Sequence, residues 1–253
     1  MSHLVTADEC AESDGGSDDA PMTRMNLLSA ASLASNPSHA TGHRPIPARP
    51  PYREQTASVY ERYATQYAAF RLHTCPDDRA EGLAALDLPR ARHAAEIGCG
   101  PGYYAPVIAA RHPTVRVTSI DNSPAQIALA RQRAAHQGLG NAHFICDDVC
   151  ALSQPDGRFD RVVASRLFMV VRDPRRAMAE LLRVLAPSGV LVVAEPVARP
   201  AISFADWAQI VTPAEHIFTA AAFTALMSSF TCGACAIWES GGYRYARCRK
   251  AAD

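Results

Sequence analysis

Residues 94–102 read Ala94-Ala95-Glu96-Ile97-Gly98-Cys99-Gly100-Pro101-Gly102. An acidic residue stands two positions ahead of the first of three glycines, which follow one another at every second position. The short apolar run before the glycines predicts a buried strand, and a helix is expected from about residue 103 to 111. The segment therefore reads as strand, tight glycine loop and helix N-terminus. Glycine lets the backbone turn with positive φ and lets a ligand approach with no Cβ in the way. The helix N-terminus turns unpaired N–H groups toward a polar or anionic group. A carboxylate at the strand end suits a ligand that offers an ammonium or a hydroxyl.

Working outward, strands and helices alternate. Strands are expected at 93–97, 115–120, 142–146, 159–164 and 189–194. Helices are expected at 123–136, with Asn122 or Ser123 as N-cap, and at 174–185, with Asp173 as cap and Pro174 in the first turn. Unbroken apolar strands alternating with helices imply a parallel sheet covered on both faces. The end of the chain changes character. A helix at 218–229 leads into two strands at 231–239 and 243–249, joined across Gly241-Gly242 as a hairpin. Ahead of the sheet, Val59, Tyr63, Tyr67 and Phe70 mark one face of a helix that begins near Thr56, and a second helix is expected at 79–85. Residues 1–52 are rich in Ser, Ala, Asp and Pro with no sustained period, and are expected to form a disordered tail. Met22 and Met25 offer alternative starts. The domain proper then spans 53–253, with the first helices as a cap.

In open α/β sheets a ligand sits beyond the carboxyl ends of the strands, at the switch point beside the first strand. Strand two ends at Ile120-Asp121, about 20–25 residues after the glycine loop, where an acid can accept both hydroxyls of a ribose. As a single residue, Asp121 also suits a helix cap. Strand three ends at Cys146-Asp147-Asp148-Val149.

The acid, the alternating glycines and the acids after strands two and three together resemble motif I and its partners in the class I S-adenosylmethionine (SAM) dependent methyltransferases. The resemblance covers roughly residues 56–249. It implies a Rossmann-like seven-stranded α/β fold, mostly parallel with an antiparallel C-terminal hairpin, and SAM as cofactor. It places the cofactor on Glu96, Gly98, Gly100, Gly102, Asp121 and Asn122. It also implies that an acid after strand three accepts the adenine amino group, with the next backbone N–H meeting the ring. Asp148 with Val149 matches this best, and Asp147 competes with it. The helix around Tyr60-Glu61-Arg62-Tyr63 resembles that of the branch containing the ubiquinone and menaquinone methyltransferases. There aromatic residues fold over the cofactor, which points to Tyr60 and Tyr67, while Tyr63 also suits core packing. The segment 181–191, with Gly189 at its bend, resembles the family's turn into strand five.

Methyl transfer from SAM is an in-line displacement in which the enzyme aligns the groups and excludes water. A base is needed only for a protonated acceptor. Candidates are His216, Glu195 and Arg166, with Glu215 beside them. His216 titrates in the useful range but also suits a cap or a surface position. The segment 196–217, with Phe204 and Trp207, is expected to form a substrate lid, and with nothing strongly basic in it the acceptor is expected to be a small molecule. A SAM-binding sensor or partner subunit without turnover would carry the same motif. Gly100-Pro101-Gly102-Tyr103-Tyr104-Ala105 also fits a dinucleotide fingerprint, which would make the chain an NAD-dependent oxidoreductase. That register leaves Glu96 and Gly98 unexplained.

Composition sets outer bounds. The 253 residues are 48% hydrophobic with a formal net charge of zero, enough for one large core and without a basic footprint for nucleic acid. No run approaches the ~18 apolar residues of a membrane span, and the acidic start is unlike a signal peptide. A cytoplasmic protein is expected. The eight cysteines are scattered and read as small buried hydrophobes. The two thiols of Cys232-Gly233-Ala234-Cys235 would point to opposite faces of a strand, so no metal is expected.

Overall fold

The computed structural model describes residues 60–73, 77–197, 218–230 and 232–252. The proposed tail and the segment with Phe204, Trp207, Glu215 and His216 lie outside the described residues, as do Thr56 and Val59.

The chain order is helix α1 (Ala64–His73), α2 (Arg79–Ala85), β1 (His93–Ile97), α3 (Ala105–Arg111), β2 (Arg116–Asp121), α4 (Pro124–His136), β3 (Ala142–Cys146), β4 (Phe159–Ser165), α5 (Pro174–Val184), β5 (Leu185–Pro196), α6 (Ala220–Ser228), β6 (Ala234–Ser240) and β7 (Tyr243–Arg249). A further helical turn at 60–62 precedes α1. The seven strands form one sheet in the order β3-β2-β1-β4-β5-β7-β6. Pairings from β3 through to β5 are parallel, and β7 lies antiparallel between β5 and β6. The order reverses between β1 and β4, which opens the crevice expected at a switch point.

Both faces of the central strands are buried because neighbouring residues alternate between two cores. Ile97, Val162, Ala164, Leu191 and Val193 join the face covered by α5 and α6, with Met178, Leu181 and Phe223. Ala94, Val163, Val190 and Val192 join the opposite face with Ile108 and Tyr104. Helix α5 buries Ala177, Met178, Leu181 and Val184, one stripe at helical spacing. Its start is fixed by Asp173, whose carboxylate accepts the Arg176 N–H at 2.9 Å. Ser123 caps α4 in the same way, accepting from Gln126 N.

Several expected bounds shift by one to four residues, β6 for example running from Ala234 to Ser240, and two of the shifts have local reasons. Strand β5 begins at Leu185 rather than Gly189, because Leu185 already pairs with Phe159 across an irregular register. The left-handed residue of that bend is Ser188, at φ 59°. Gly189 is required for space, since a Cβ there would lie 2.7 Å from the Ala186 carbonyl oxygen. Helix α3 begins at Ala105 rather than Tyr103, since the preceding N–H groups turn toward Glu96. Among the described residues no helix is long and apolar enough to cross a membrane.

Candidate functional site

A cavity of about 410 Å³ opens at the carboxyl ends of the strands, lined by the glycine loop, the ends of β2, β3 and β4, and Tyr60 and Tyr67. Its size is that of a small-molecule site.

The glycine loop is a run of left-handed turns, with φ of 71°, 51° and 75° at Gly98, Gly100 and Gly102. The N–H groups of Gly98 and Cys99 both donate to the Ile120 carbonyl, at 2.8 and 3.0 Å, which ties the loop to β2. Each glycine also faces a close neighbour. A Cβ on Gly98 would stand 2.7 Å from Leu167 Cδ1, one on Gly100 3.3 Å from the Tyr67 ring, and one on Gly102 3.4 Å from Ala130. Gly98 and Gly100 line the cavity. Gly102 instead packs against α4.

Glu96 is buried, and its carboxylate accepts the N–H groups of Tyr103, Tyr104 and Ala105 at 3.1, 2.8 and 2.8 Å. Burial pushes its pKa up to about 7, against the pull of those three donors toward the charged form. The side chain therefore caps α3 and fixes the loop. It is not among the cavity-lining residues.

Asp121 does face the cavity. Its Oδ2 accepts the Gly100 N–H at 2.8 Å and its Oδ1 the Ser123 N–H at 3.0 Å. Burial raises its pKa, opposed by these same backbone donors. One carboxylate on the cavity wall thus aligns the glycine loop and starts α4. Asn122, Asp147, Asp148 and Val149 also line the cavity. Asp147 Oδ2 holds the Ser153 N–H and hydroxyl, both at 2.7 Å, while Asp148 Oδ1 accepts the Cys150 N–H at 3.0 Å.

At the end of β4, Arg166 lines the cavity with a left-handed backbone, φ 55°, and donates to the Tyr243 hydroxyl at 3.2 Å. A non-glycine residue held there is strained, a condition that clusters at functional sites. Glu195 lies behind it. It is buried, accepts the N–H groups of Phe168 and Met169 at 2.7 and 3.3 Å, and burial raises its pKa to about 7. It shapes the loop after β4 and does not line the cavity.

Three features had no local signal in the sequence. Glu61 Oε2 accepts the Ser123 hydroxyl at 2.7 Å and the Ala125 N–H at 2.8 Å, so the N-terminal helical turn caps α4 from outside. Gln126 donates from Nε2 to the Tyr60 carbonyl at 3.3 Å. Behind the cavity wall, Asp78 and Arg71 form a buried ion pair. Asp78 also accepts the Tyr104 hydroxyl at 2.8 Å and the Ser165 hydroxyl at 2.5 Å. Together these bonds lock the N-terminal helices over the sheet ends, with the Tyr60 and Tyr67 rings edge to face at 4.9 Å.

The cysteines depart from the expected reading. Cys235 and Cys248 face one another directly across β6 and β7 and form a disulfide. Cys232 precedes β6, so the alternation of a strand does not apply to it. The sulfurs of Cys232, Cys235 and Cys248 lie within 4.8 Å of one another. Cys146 is exposed, whereas Cys99 is buried.

Residues 94–189 match the sequence model of a methyltransferase domain. Among curated relatives, a trans-aconitate 2-methyltransferase from Variovorax paradoxus is 32% identical over 148 residues, covering 55% of each chain. A demethylmenaquinone methyltransferase from Thermus thermophilus is 38% identical over 117 residues, 46% of this chain and 52% of that one. The chain spans about half the length of the curated relatives it matches. A solved SAM-dependent methyltransferase from Aquifex aeolicus superposes with a TM-score of 0.62 at 17% identity, over 75% of this chain and 97% of that one. That likeness concerns the fold.

Proposed function

We propose that this chain, which carries the domain of the class I SAM-dependent methyltransferases, transfers a methyl group from SAM to a small-molecule acceptor. The observation that carries the proposal is Asp121. It faces the cavity at the switch point while its two oxygens hold the glycine loop and the start of α4. The residues present fit a nucleoside. A carboxylate stands where a sugar diol can donate, and the glycine backbone forms the adjoining wall. When bound, the cofactor supplies an electrophilic sulfonium methyl. Asp121 with Asn122 would hold the sugar, and Asp148 with Val149 the base. Gly98 and Gly100 would border the amino-acid part, with Tyr60 and Tyr67 covering it and excluding water. Glu96, Gly102 and Glu195 would act at one remove, through the loops they hold.

Arg166 is the described residue best placed to meet an acceptor, being on the cavity wall at the end of β4. His216 and Glu215 remain candidates for a base. The acceptor is proposed to be a small molecule rather than nucleic acid, given the zero net charge, and the compartment the cytoplasm.

Calorimetric titration of the full chain with S-adenosylhomocysteine, beside Asp121→Ala, tests the cofactor. Micromolar binding, about −8 kcal/mol, that is lost in the variant is the expected result. No binding by the wild type overturns the proposal. Transfer of labelled methyl to an acceptor panel separates an enzyme from a sensor or partner subunit, and a parallel titration with NAD tests the oxidoreductase reading.

A further inference from the structure

We infer that Gln126 is an additional ligand-reading residue, whose side-chain oxygen accepts a hydrogen bond from a sugar hydroxyl of the bound nucleoside. This rests on the cofactor reading proposed above. Gln126 sits in the first turn of α4, lines the cavity and is 1% exposed. Its Nε2 donates to the Tyr60 carbonyl, which can only accept, so the orientation of the amide is fixed. The oxygen must then point the other way. There it is buried without a hydrogen-bond partner among the described residues. A buried, unpartnered carbonyl is destabilising, and an aliphatic side chain would fill the same space without that penalty.

The position of the oxygen names the group it reads. It lies 3.9 Å from where a Cβ on Gly100 would be. Gly100 is the residue whose N–H is held by Asp121. The amide oxygen and the Asp121 carboxylate thus each lie beside Gly100, and both residues line the cavity. A vicinal diol brings two O–H donors there, and both oxygens of Asp121 already accept backbone N–H groups. Gln126 supplies a further, neutral acceptor beside the charged carboxylate. Its other end holds the N-terminal helical turn, so one amide joins the ligand to the segment that covers it.

The test compares wild type, Gln126→Met and Gln126→Asn as full chains by calorimetry. The methionine keeps the length and removes the polar atoms, and the asparagine keeps the amide but draws its oxygen back. Ligands are S-adenosylhomocysteine, 5′-methylthioadenosine, and the 2′- and 3′-deoxy forms of the latter. Both variants should bind the first two ligands about tenfold more weakly. In the wild type, removal of one sugar hydroxyl should weaken binding, and in Gln126→Met the same removal should have no effect. That loss of coupling is a readout that a packing role alone does not produce. Equal affinity for S-adenosylhomocysteine in wild type and both variants overturns the inference and leaves the cofactor reading standing. A loss confined to S-adenosylhomocysteine also overturns it, since the donor would then be the amino-acid ammonium. If the wild type binds none of the ligands, the cofactor reading fails and the inference with it.

Discussion

Asp121→Asn probes the site at the point where fold and chemistry meet. The carboxylate accepts Gly100 N at 2.8 Å on one oxygen and Ser123 N at 3.0 Å on the other. The amide has one oxygen, so one of these N–H groups must face an NH₂. Leaving a buried donor unpaired costs about 1–3 kcal/mol, offset in part because a charge is no longer held in a half-buried site. Binding suffers separately. A hydrogen bond to a charged acceptor contributes about 1.5–3 kcal/mol, so its loss weakens S-adenosylhomocysteine roughly 10- to 150-fold. The pH dependence has a definite sign. Burial raises the Asp121 pKa above its ordinary value of 3.8. In the free protein this carboxyl therefore contributes less stability as pH rises through that window. The ligand needs the ionised form, so affinity should rise as pH climbs through the raised pKa and then level off. Binding within the window should release a proton, and the calorimetric enthalpy should vary with the ionisation enthalpy of the buffer. The amide does not titrate, so Asp121→Asn should abolish both effects. An Asp121→Asn protein that binds as tightly as wild type in mildly alkaline buffer, or a wild-type affinity flat through the acid range, would refute the reasoning.

Other perturbations separate the supporting parts. Gly98→Ala forces a left-handed alanine and a 2.7 Å approach to Leu167 Cδ1. It should lose about 2–3 kcal/mol in denaturant unfolding, and wild-type stability would contradict the assigned backbone. Asp78→Ala leaves Arg71 buried without this counter-charge. The expected loss is about 3–5 kcal/mol, read by thermal melting, and an Asp78→Ala protein melting with the wild type would show that the pair carries no such weight. Glu61→Ala removes the outside cap of α4. A stability loss of about 1 kcal/mol is expected, together with faster amide exchange at Ala125. Unchanged exchange there would sink the capping role.

The sequence by itself determined what depends on neighbours along the chain. The alternating glycines required left-handed turns, and the structure has them at all three. Strands β1, β3 and β7 fall at 93–97, 142–146 and 243–249 as their apolar and turn patterns demand. Asp173 and Ser123 cap their helices because capping is a contact over three residues. Asp121 was legible because a parallel strand must deliver its last residue to the same edge as the glycine loop. Tertiary structure alone decided where the carboxylates turn. Glu96 and Glu195 sit at strand ends near the ligand side, yet their oxygens meet N–H groups of α3 and of the loop after β4. Strand periodicity fixes the side of the sheet to which a side chain points, and says nothing of which unpaired donors its rotamer will find. The same limit hid the long-range partners. Glu61 meets Ser123 across 62 residues, and Asp78 meets Ser165 across 87. Cys235 finds Cys248 only because β6 and β7 pair in that register. Local preference sets the elements and their order, while the docking of one element on another chooses which polar atoms face the cavity and which hold its walls.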